Sequence, residues 1–367
     1  MARILFVEPF YGGSHKAFLD GLQAHSSHEI ETLTLPEGEW RRRMRRGGVE
    51  LAEQARALSG TFGAVVVSDM LDLPVFLALT RPRFGSTPVM AYFHENQFTY
   101  PRIRGTKFNS WFGQINYLTS LAAHRVAFNS EFHRDDFLGA LRTLAGQPNN
   151  WLVPEKIAEI AAKAAVLPVG VDLAWLEGIE PERRRSEPPV VIWNHRWEFD
   201  KAPEMFERGL AALADEGVPF EVIIAGEPGD NPSDALHGLR ERLGGRVRHF
   251  GYAPSREAYG QLLKQADIVV STTRHEFFGV GMVEAMYAGC VPCAPNRYNY
   301  PALTPPEFHE TCLFDDEAGF IAKLRGLLLG PRPDRGPFQA SAAGFAWPAV
   351  IPQWDAALER LCNSAHL

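Results

Sequence analysis

Short, continuously apolar runs at 3–7, 64–68, 88–93, 125–129 and 165–168 are each bounded by Gly, Pro, Asp or Asn. Between them lie segments whose apolar residues recur at helical spacing, among them 15–25, 49–58, 109–123 and 155–164. A strand buried on both faces is apolar throughout, whereas a half-exposed strand alternates. The pattern therefore predicts parallel strands joined by crossover helices. The stretch 180–189, Glu-Pro-Glu-Arg-Arg-Arg-Ser-Glu-Pro-Pro, reads as a linker or exposed loop. A second series follows, with strands expected at 189–193, 221–225, 246–250, 268–271 and 291–294. The segment 330–337, Gly-Pro-Arg-Pro-Asp-Arg-Gly-Pro, reads as irregular, and 347–361 recovers a helical period through Trp347, Val350, Trp354, Leu358 and Leu361. The fold class is α/β.

At 367 residues and 46% hydrophobic content the chain can bury ample core, and its length suggests two domains. The opening run Met1–Glu8 is short and ends in a charge before Pro9, so it reads as a buried first strand rather than a signal peptide. No apolar stretch approaches bilayer length. Cys290, Cys293, Cys312 and Cys362 are poorly spaced for a disulfide framework and read as thiols. A cytoplasmic location is expected. The net charge of −7 excludes a generally basic coat for nucleic acid. Against that background stands Trp40-Arg-Arg-Arg-Met-Arg-Arg46. Arg41, Arg42, Arg43, Arg45 and Arg46 could neutralise phosphates while Trp40 stacks on a base; the competing reading is a solvated helix end.

The densest chemistry lies where the strand at 268–271 runs into Ser-Thr-Thr-Arg-His275-Glu276-Phe-Phe278-Gly279-Val280-Gly281-Met-Val-Glu284. A strand, a small-residue turn and a helix start present backbone N–H groups to phosphate. With Glu276 on the loop and Glu284 inside the helix, a nucleotide-sugar fits: Glu284 on ribose hydroxyls, Glu276 on the sugar. Arg196 and Lys201 follow the first strand of the second series and suit a diphosphate, although each alone equally reads as a surface charge paired with Glu198 or Asp200. Tyr11-Gly12-Gly13-Ser14-His15 allows close backbone approach to a ligand, or is merely a tight turn with Ser14 capping the next helix. It fails the Gly-x-Gly-x-x-Gly pattern, which disfavours a dinucleotide. His94-Glu95-Asn96-Gln97 places polar groups at one strand end. Asp69 and Asp72 read as helix caps, and no metal is expected, because Arg196, Lys201 and the helix terminus already supply positive charge.

The Glu276-x7-Glu284 spacing resembles that of retaining glycosyltransferases of the GT-B fold. Together with 11–16, 92–97, 195–201 and 275–279, it resembles the tRNA-queuosine α-mannosyltransferase family from residue 4 to about 347. The resemblance implies two Rossmann-like domains facing a deep cleft: an acceptor-side domain at 1–170, completed by a C-terminal helix at 347–364, and a nucleotide-sugar domain at 171–346. It implies transfer of mannose, with retention, from GDP-mannose to the cyclopentenediol of queuosine in tRNA, without cofactor or metal, by a cytoplasmic monomer. The catalytic residues would be His94, Glu276, Arg196 and Lys201. Donor binding would involve Gly12, Gly13, Arg196, Lys201, His275, Glu276, Phe278, Gly279, Val280, Gly281 and Glu284. Acceptor or RNA binding would fall to Trp40 with its five arginines, His15, Asn96 and Gln97. The rivals are a lipid or small-metabolite acceptor, and an RNA-binding relative without catalysis.

Overall fold

The computed structural model describes residues 1–101, 110–148, 150–180, 188–228 and 234–364, so most of the expected 180–189 linker lies outside the described residues. Two compact units result. One comprises Met1–Gly170 with the helix Trp347–Asn363, and the other is Val171–Ala346.

The first unit holds a six-stranded parallel sheet: β1 (Arg3–Tyr11), β2 (Glu29–Pro36), β3 (Ala64–Ser68), β4 (Val89–Phe93), β5 (Arg125–Phe128) and β6 (Ala164–Val166), in the order β2-β1-β3-β4-β5-β6. Every residue of β3 and β4 is buried, as their unbroken apolar runs require. The edge strand β2 was not expected. Its sequence Glu-Ile-Glu-Thr-Leu-Thr-Leu-Pro alternates, burying Ile30, Leu33 and Leu35, and so lacks the signature of an interior parallel strand.

The second unit repeats the plan with β7 (Val190–Asn194), β8 (Glu221–Ala225), β9 (Val247–Gly251), β10 (Ile268–Val270), β11 (Val291–Pro295) and β12 (Leu313–Phe314), ordered β12-β11-β10-β7-β8-β9. The two-residue β12 is too short to leave a sequence signal. In both units the ladder runs out from the centre in both directions, so the order reverses beside β1 and beside β7. Ligands of open α/β sheets bind at the carboxyl ends of strands near such a switch.

Two helices differ from expectation. The helix expected from residue 49 begins at Trp40 and runs to Ala55, burying Met44, Leu51, Ala52 and Ala55 on one stripe. The arginines thus occupy its first two turns. A helix, Gly336–Ala343, starts inside the supposedly irregular 330–337, with Pro337 in its first turn, where a missing N–H does no harm. The C-terminal helix packs on the first unit: Trp347 lies against Phe18 (5.7 Å) and stacks on His25 (5.8 Å), and Trp354 Nε1 donates to Pro168 O at 3.0 Å. Among the described residues, no helix is long and apolar enough to cross a membrane.

Candidate active site

In the second unit the segment after β10 is tied to the turn after β7. The Thr272 hydroxyl donates to Lys201 O (2.9 Å), the Thr273 hydroxyl reaches Asp200 O (2.9 Å), and the Arg274 N–H donates to Asp200 O (2.6 Å). These tethers bring Lys201 Nζ to 3.2 Å from the buried Asp200 Oδ2 and 3.4 Å from Glu276 Oε2. Burial disfavours the Lys201 charge, but Glu276 and Asp200 outweigh it and hold its pKa above the ordinary value. Phe278 N donates to Glu276 Oε1 at 3.4 Å. Gly279 then adopts φ 101°, a left-handed conformation that favours glycine, and caps the helix Val280–Tyr287. A side chain at Gly281 would press on Asn194 Nδ2 at 3.1 Å. His275 is buried edge-on to Phe277, with ring centroids 4.2 Å apart. Arg196 is exposed and pairs with Glu198 at 3.3 Å, while its charge opposes that of Lys201.

Glu284 lies one turn into that helix. It accepts the Tyr259 hydroxyl at 3.1 Å, and Asn194 Nδ2 donates both to Tyr259 Oη (2.9 Å) and to Gly281 O (2.8 Å). Burial pushes the Glu284 carboxyl up to about 7, with Tyr259 and Arg256 acting in the opposite direction.

In the first unit the carboxyl ends of β1, β3 and β4 gather Glu8, Asp69 and His94. Buried Glu8 accepts from Ser68 Oγ (3.0 Å) and Phe10 N (2.8 Å), and pairs with His15 Nδ1 at 3.0 Å. Burial opposes a charged His15, but the carboxylates of Glu8, Asp69 and Glu95 prevail and push it up to about 9. The His15 ring lies 4.2 Å from that of His94. His94 is held well below its ordinary pKa by burial and by the charges of His15 and His133, so it is a neutral imidazole. Among the described residues its Nε2 has no hydrogen-bond partner. Asn96 Oδ1 accepts from Phe98 N (3.0 Å) and Thr99 N (3.2 Å), and Gln97 N donates to Asn116 Oδ1 (2.8 Å).

Several sequence readings need correction here. Asp72 does cap the helix Leu73–Phe84, accepting from Val75 N at 3.3 Å. Asp69 does not cap a helix: it is fully buried, accepts from His94 N at 2.8 Å, and burial pushes its carboxyl up to about 8. Ser14 is not a cap either, because Gly12 occupies the N-cap position of the helix Gly13–His25. A side chain at Gly12 would strike Glu37, and Gly13 has φ 50°, so both glycines answer to the turn itself. Ligand atoms of Glu8, His15 and His94 lie within 4.8 Å of one another and could hold a cation. A proton competes for that place: His15 would have to give up the proton that its contact with Glu8 secures.

The arginine helix presents Arg41, Arg42, Arg45 and Arg46 outward, while Arg43 is half-buried. Trp40 is half-buried against Phe112 (5.0 Å), with the Arg41 guanidinium 4.5 Å from the Trp40 ring centroid. Arg45 stands 5.2 Å from the Phe112 ring centroid, and Arg43 and Arg46 approach Glu50 at 3.7 and 3.1 Å. The expected free stacking surface of Trp40 is therefore already partly used within the protein.

Residues 3–171 match the family described as tRNA-queuosine alpha-mannosyltransferase N-terminal, and residues 177–325 match glycosyl transferases group 1. The tRNA-queuosine alpha-mannosyltransferase of Drosophila melanogaster is 34% identical over 312 residues, covering 83% of this chain and 82% of the relative. The chain belongs to the tRNA-queuosine α-mannosyltransferase family. This glycosyltransferase is also 28% identical over 221 residues to the GDP-mannose:cellobiosyl-diphosphopolyprenol alpha-mannosyltransferase of Xanthomonas oryzae, covering 59% of this chain and 51% of that one. Among solved structures, sucrose-phosphate synthase from Thermosynechococcus elongatus superposes with a TM-score of 0.75 at 16% identity, covering 99% of this chain and 100% of that one. That likeness, with the two six-stranded parallel sheets, makes the fold GT-B.

The sequence of this queuosine-family enzyme did not mark Glu8, Asp69, Asn194 or Tyr259 as parts of the two clusters, whereas the expected pairing of Lys201 with Asp200 is present at 3.2 Å. Glu8 follows the apolar run 3–7 and so looks in sequence like an exit to solvent, although β1 continues to Tyr11. Tyr259 lies 25 residues before Glu284 with no motif joining them. Asn194 gave the best available signal, as the polar last residue of an apolar strand.

Proposed function

We propose that this enzyme transfers mannose, with retention, from GDP-mannose to the cyclopentenediol of queuosine in tRNA, in the cytoplasm and without a metal ion. The observation that carries the reading is the 34% identity over 83% of the chain to a relative whose name states both the sugar and the acceptor. The donor is inferred from mannosyltransferase relatives named for GDP-mannose.

The second unit's geometry suits that donor. Lys201 and Arg196 would balance the diphosphate, together with the N–H groups of the first turn at Val280 and Gly281. Glu284 would accept ribose hydroxyls. Glu276, next to His275 and accepting from Phe278 N, would accept a sugar hydroxyl's hydrogen as well. In the first unit, the neutral His94 with Asn96, Gln97 and His15 would engage sugar or acceptor hydroxyls beside the Gly12–Gly13 turn, and the arginine helix would meet tRNA phosphates. The bond from the anomeric carbon to phosphate oxygen breaks as that carbon bonds the acceptor oxygen on the same face. The acceptor proton passes to the departing phosphate. Charge then grows on the diphosphate, so cations near it favour the transition state over the bound donor.

The lipid-acceptor reading is weaker, because the N-terminal unit matches the queuosine family. Incubating the protein with nucleotide-sugars and queuosine-containing tRNA tests the proposal. A hexose mass increment on queuosine, with GDP-mannose preferred, is the expected result. No increment with any donor, or transfer to polyprenol diphosphates instead, would overturn it.

A further inference from the structure

Glu284 is held directly by Tyr259, in the helix Arg256–Gln265, and Tyr259 in turn accepts from Asn194, the last residue of β7. We infer that Asn194 and Tyr259 are positioning residues for nucleotide binding, fixing the Glu284 side chain as a hydrogen-bond acceptor and tying it to the first turn of its own helix. The inference rests on the assignment of Glu284 to the ribose.

The hydrogen-bond inventory sets the direction of each contact. Asn194 Nδ2 has two hydrogens; one goes to Gly281 O at 2.8 Å and the other to Tyr259 Oη at 2.9 Å. A phenol oxygen that accepts from Asn194 directs its single hydrogen elsewhere, and Glu284 Oε2 lies 3.1 Å away. Glu284 Oε2 must therefore accept. The carboxylate gains a charge-assisted bond, and its rotamer is tied to the helix start whose N–H groups would face phosphate. Tyr259 is in turn fixed by Trp175, whose ring it stacks on at 6.1 Å, and Trp175 carries the Arg256 guanidinium 4.6 Å from its ring centroid. The charges facing Glu284 are Arg256 and Asp172, which pair with each other at 2.9 Å, so Tyr259 is the direct neutral donor. Burial works against the ionised form that ribose binding needs, and the Tyr259 hydrogen bond works for it.

The test is GDP affinity by calorimetry from pH 6 to 9 for wild type, Tyr259→Phe, Asn194→Ser and Glu284→Gln. Wild-type affinity should rise through about pH 7 as Glu284 ionises. Tyr259→Phe should bind about tenfold more weakly at pH 7, with its midpoint moved to higher pH and the gap closing toward pH 9. Asn194→Ser, which removes the donor to Tyr259, should move the midpoint the same way and serves if Tyr259→Phe does not fold. A midpoint that stays at the wild-type pH, or a loss equal at every pH, would overturn the inference. If Glu284→Gln binds GDP like wild type, the ribose assignment itself fails. If Glu284→Gln binds weakly while neither other variant moves the midpoint, only the positioning role fails.

Discussion

Lys201 is shared between two carboxylates, standing 3.2 Å from buried Asp200 and 3.4 Å from Glu276. The two contacts differ in kind. Asp200 is nearly inaccessible and belongs to the scaffold, whereas Glu276 sits on the loop before the helix start. A diphosphate drawn to Lys201 would displace Glu276 from the ammonium and leave it for a sugar hydroxyl.

Replacing Lys201 with Ala should thus have two effects. Steady-state kinetics should show kcat/KM falling on the order of 10²–10³-fold, the size seen when one stabilising group at a developing charge is removed. Urea unfolding should show a loss of about 1–3 kcal/mol, because Asp200 is left buried without its cation. Unchanged kcat/KM would remove Lys201 from the reaction.

Chelation should leave turnover intact. With Lys201, Arg196 and a helix terminus assigned to the diphosphate, activity in excess EDTA should equal that of the untreated enzyme. Abolition by EDTA with recovery on adding magnesium or manganese would refute that assignment.

The arginine helix can be tested on the residues that face outward. Arg41, Arg42 and Arg45 are exposed, whereas Arg43 is half-buried and close to Glu50. Alanine at Arg41, Arg42 and Arg45 should weaken tRNA binding and lower the magnitude of the salt slope by about 0.9 for each phosphate left without its arginine. GDP binding should be unaffected. Filter binding over a salt series reads the tRNA affinity and its slope, and an unchanged slope would return the helix to a solvated surface.

The buried cluster of the first unit predicts how stability depends on pH. His15 rises from an ordinary 6.5 to about 9, and Asp69 from 3.8 to about 8. A pKa raised by folding means that the folded chain holds the proton more tightly, so the contribution is whole below the unfolded value and lost as pH rises through the folded one. Urea unfolding should therefore show stability falling by on the order of 1–3 kcal/mol between about pH 6.5 and 9. Asp69→Asn keeps an acceptor for His94 N and should flatten the part of the slope below about pH 8. A wild-type stability that rises across this window would contradict the assigned protonation states.

What the sequence disclosed follows from how each signal is written. Interior strands such as β3 and β4 are bounded apolar runs and were legible, as was Glu276-x7-Glu284, because its spacing is local. The strand β2 was hidden by its alternation, and β12 by its length. Asp69 read as a cap because the letters Ser-Asp-Met-Leu-Asp carry no sign of burial; the structure divides two similar aspartates into one true cap and one enclosed acid. The link from Asn194 through Tyr259 to Glu284 becomes visible only when one strand and two helices are brought side by side.

The placement of Trp347 constrains the order of events during synthesis. Its indole fills the space that a side chain at Gly21 or Gly170 would occupy, with an ideal Cβ falling 2.0 and 2.3 Å from it, and the same helix supplies Asp355 to Ser26 Oγ at 2.6 Å. The first unit's surface is therefore finished by residues translated after the entire second unit. A chain emerging from the ribosome can assemble the sheet Arg3–Val166 early, yet must hold the groove around Gly21, Phe18 and Tyr92 open until the last helix arrives. The aromatic floor of that groove stays uncovered by this helix for the time it takes to make Val171–Ala346, which places the closing step of the first unit after translation of the second.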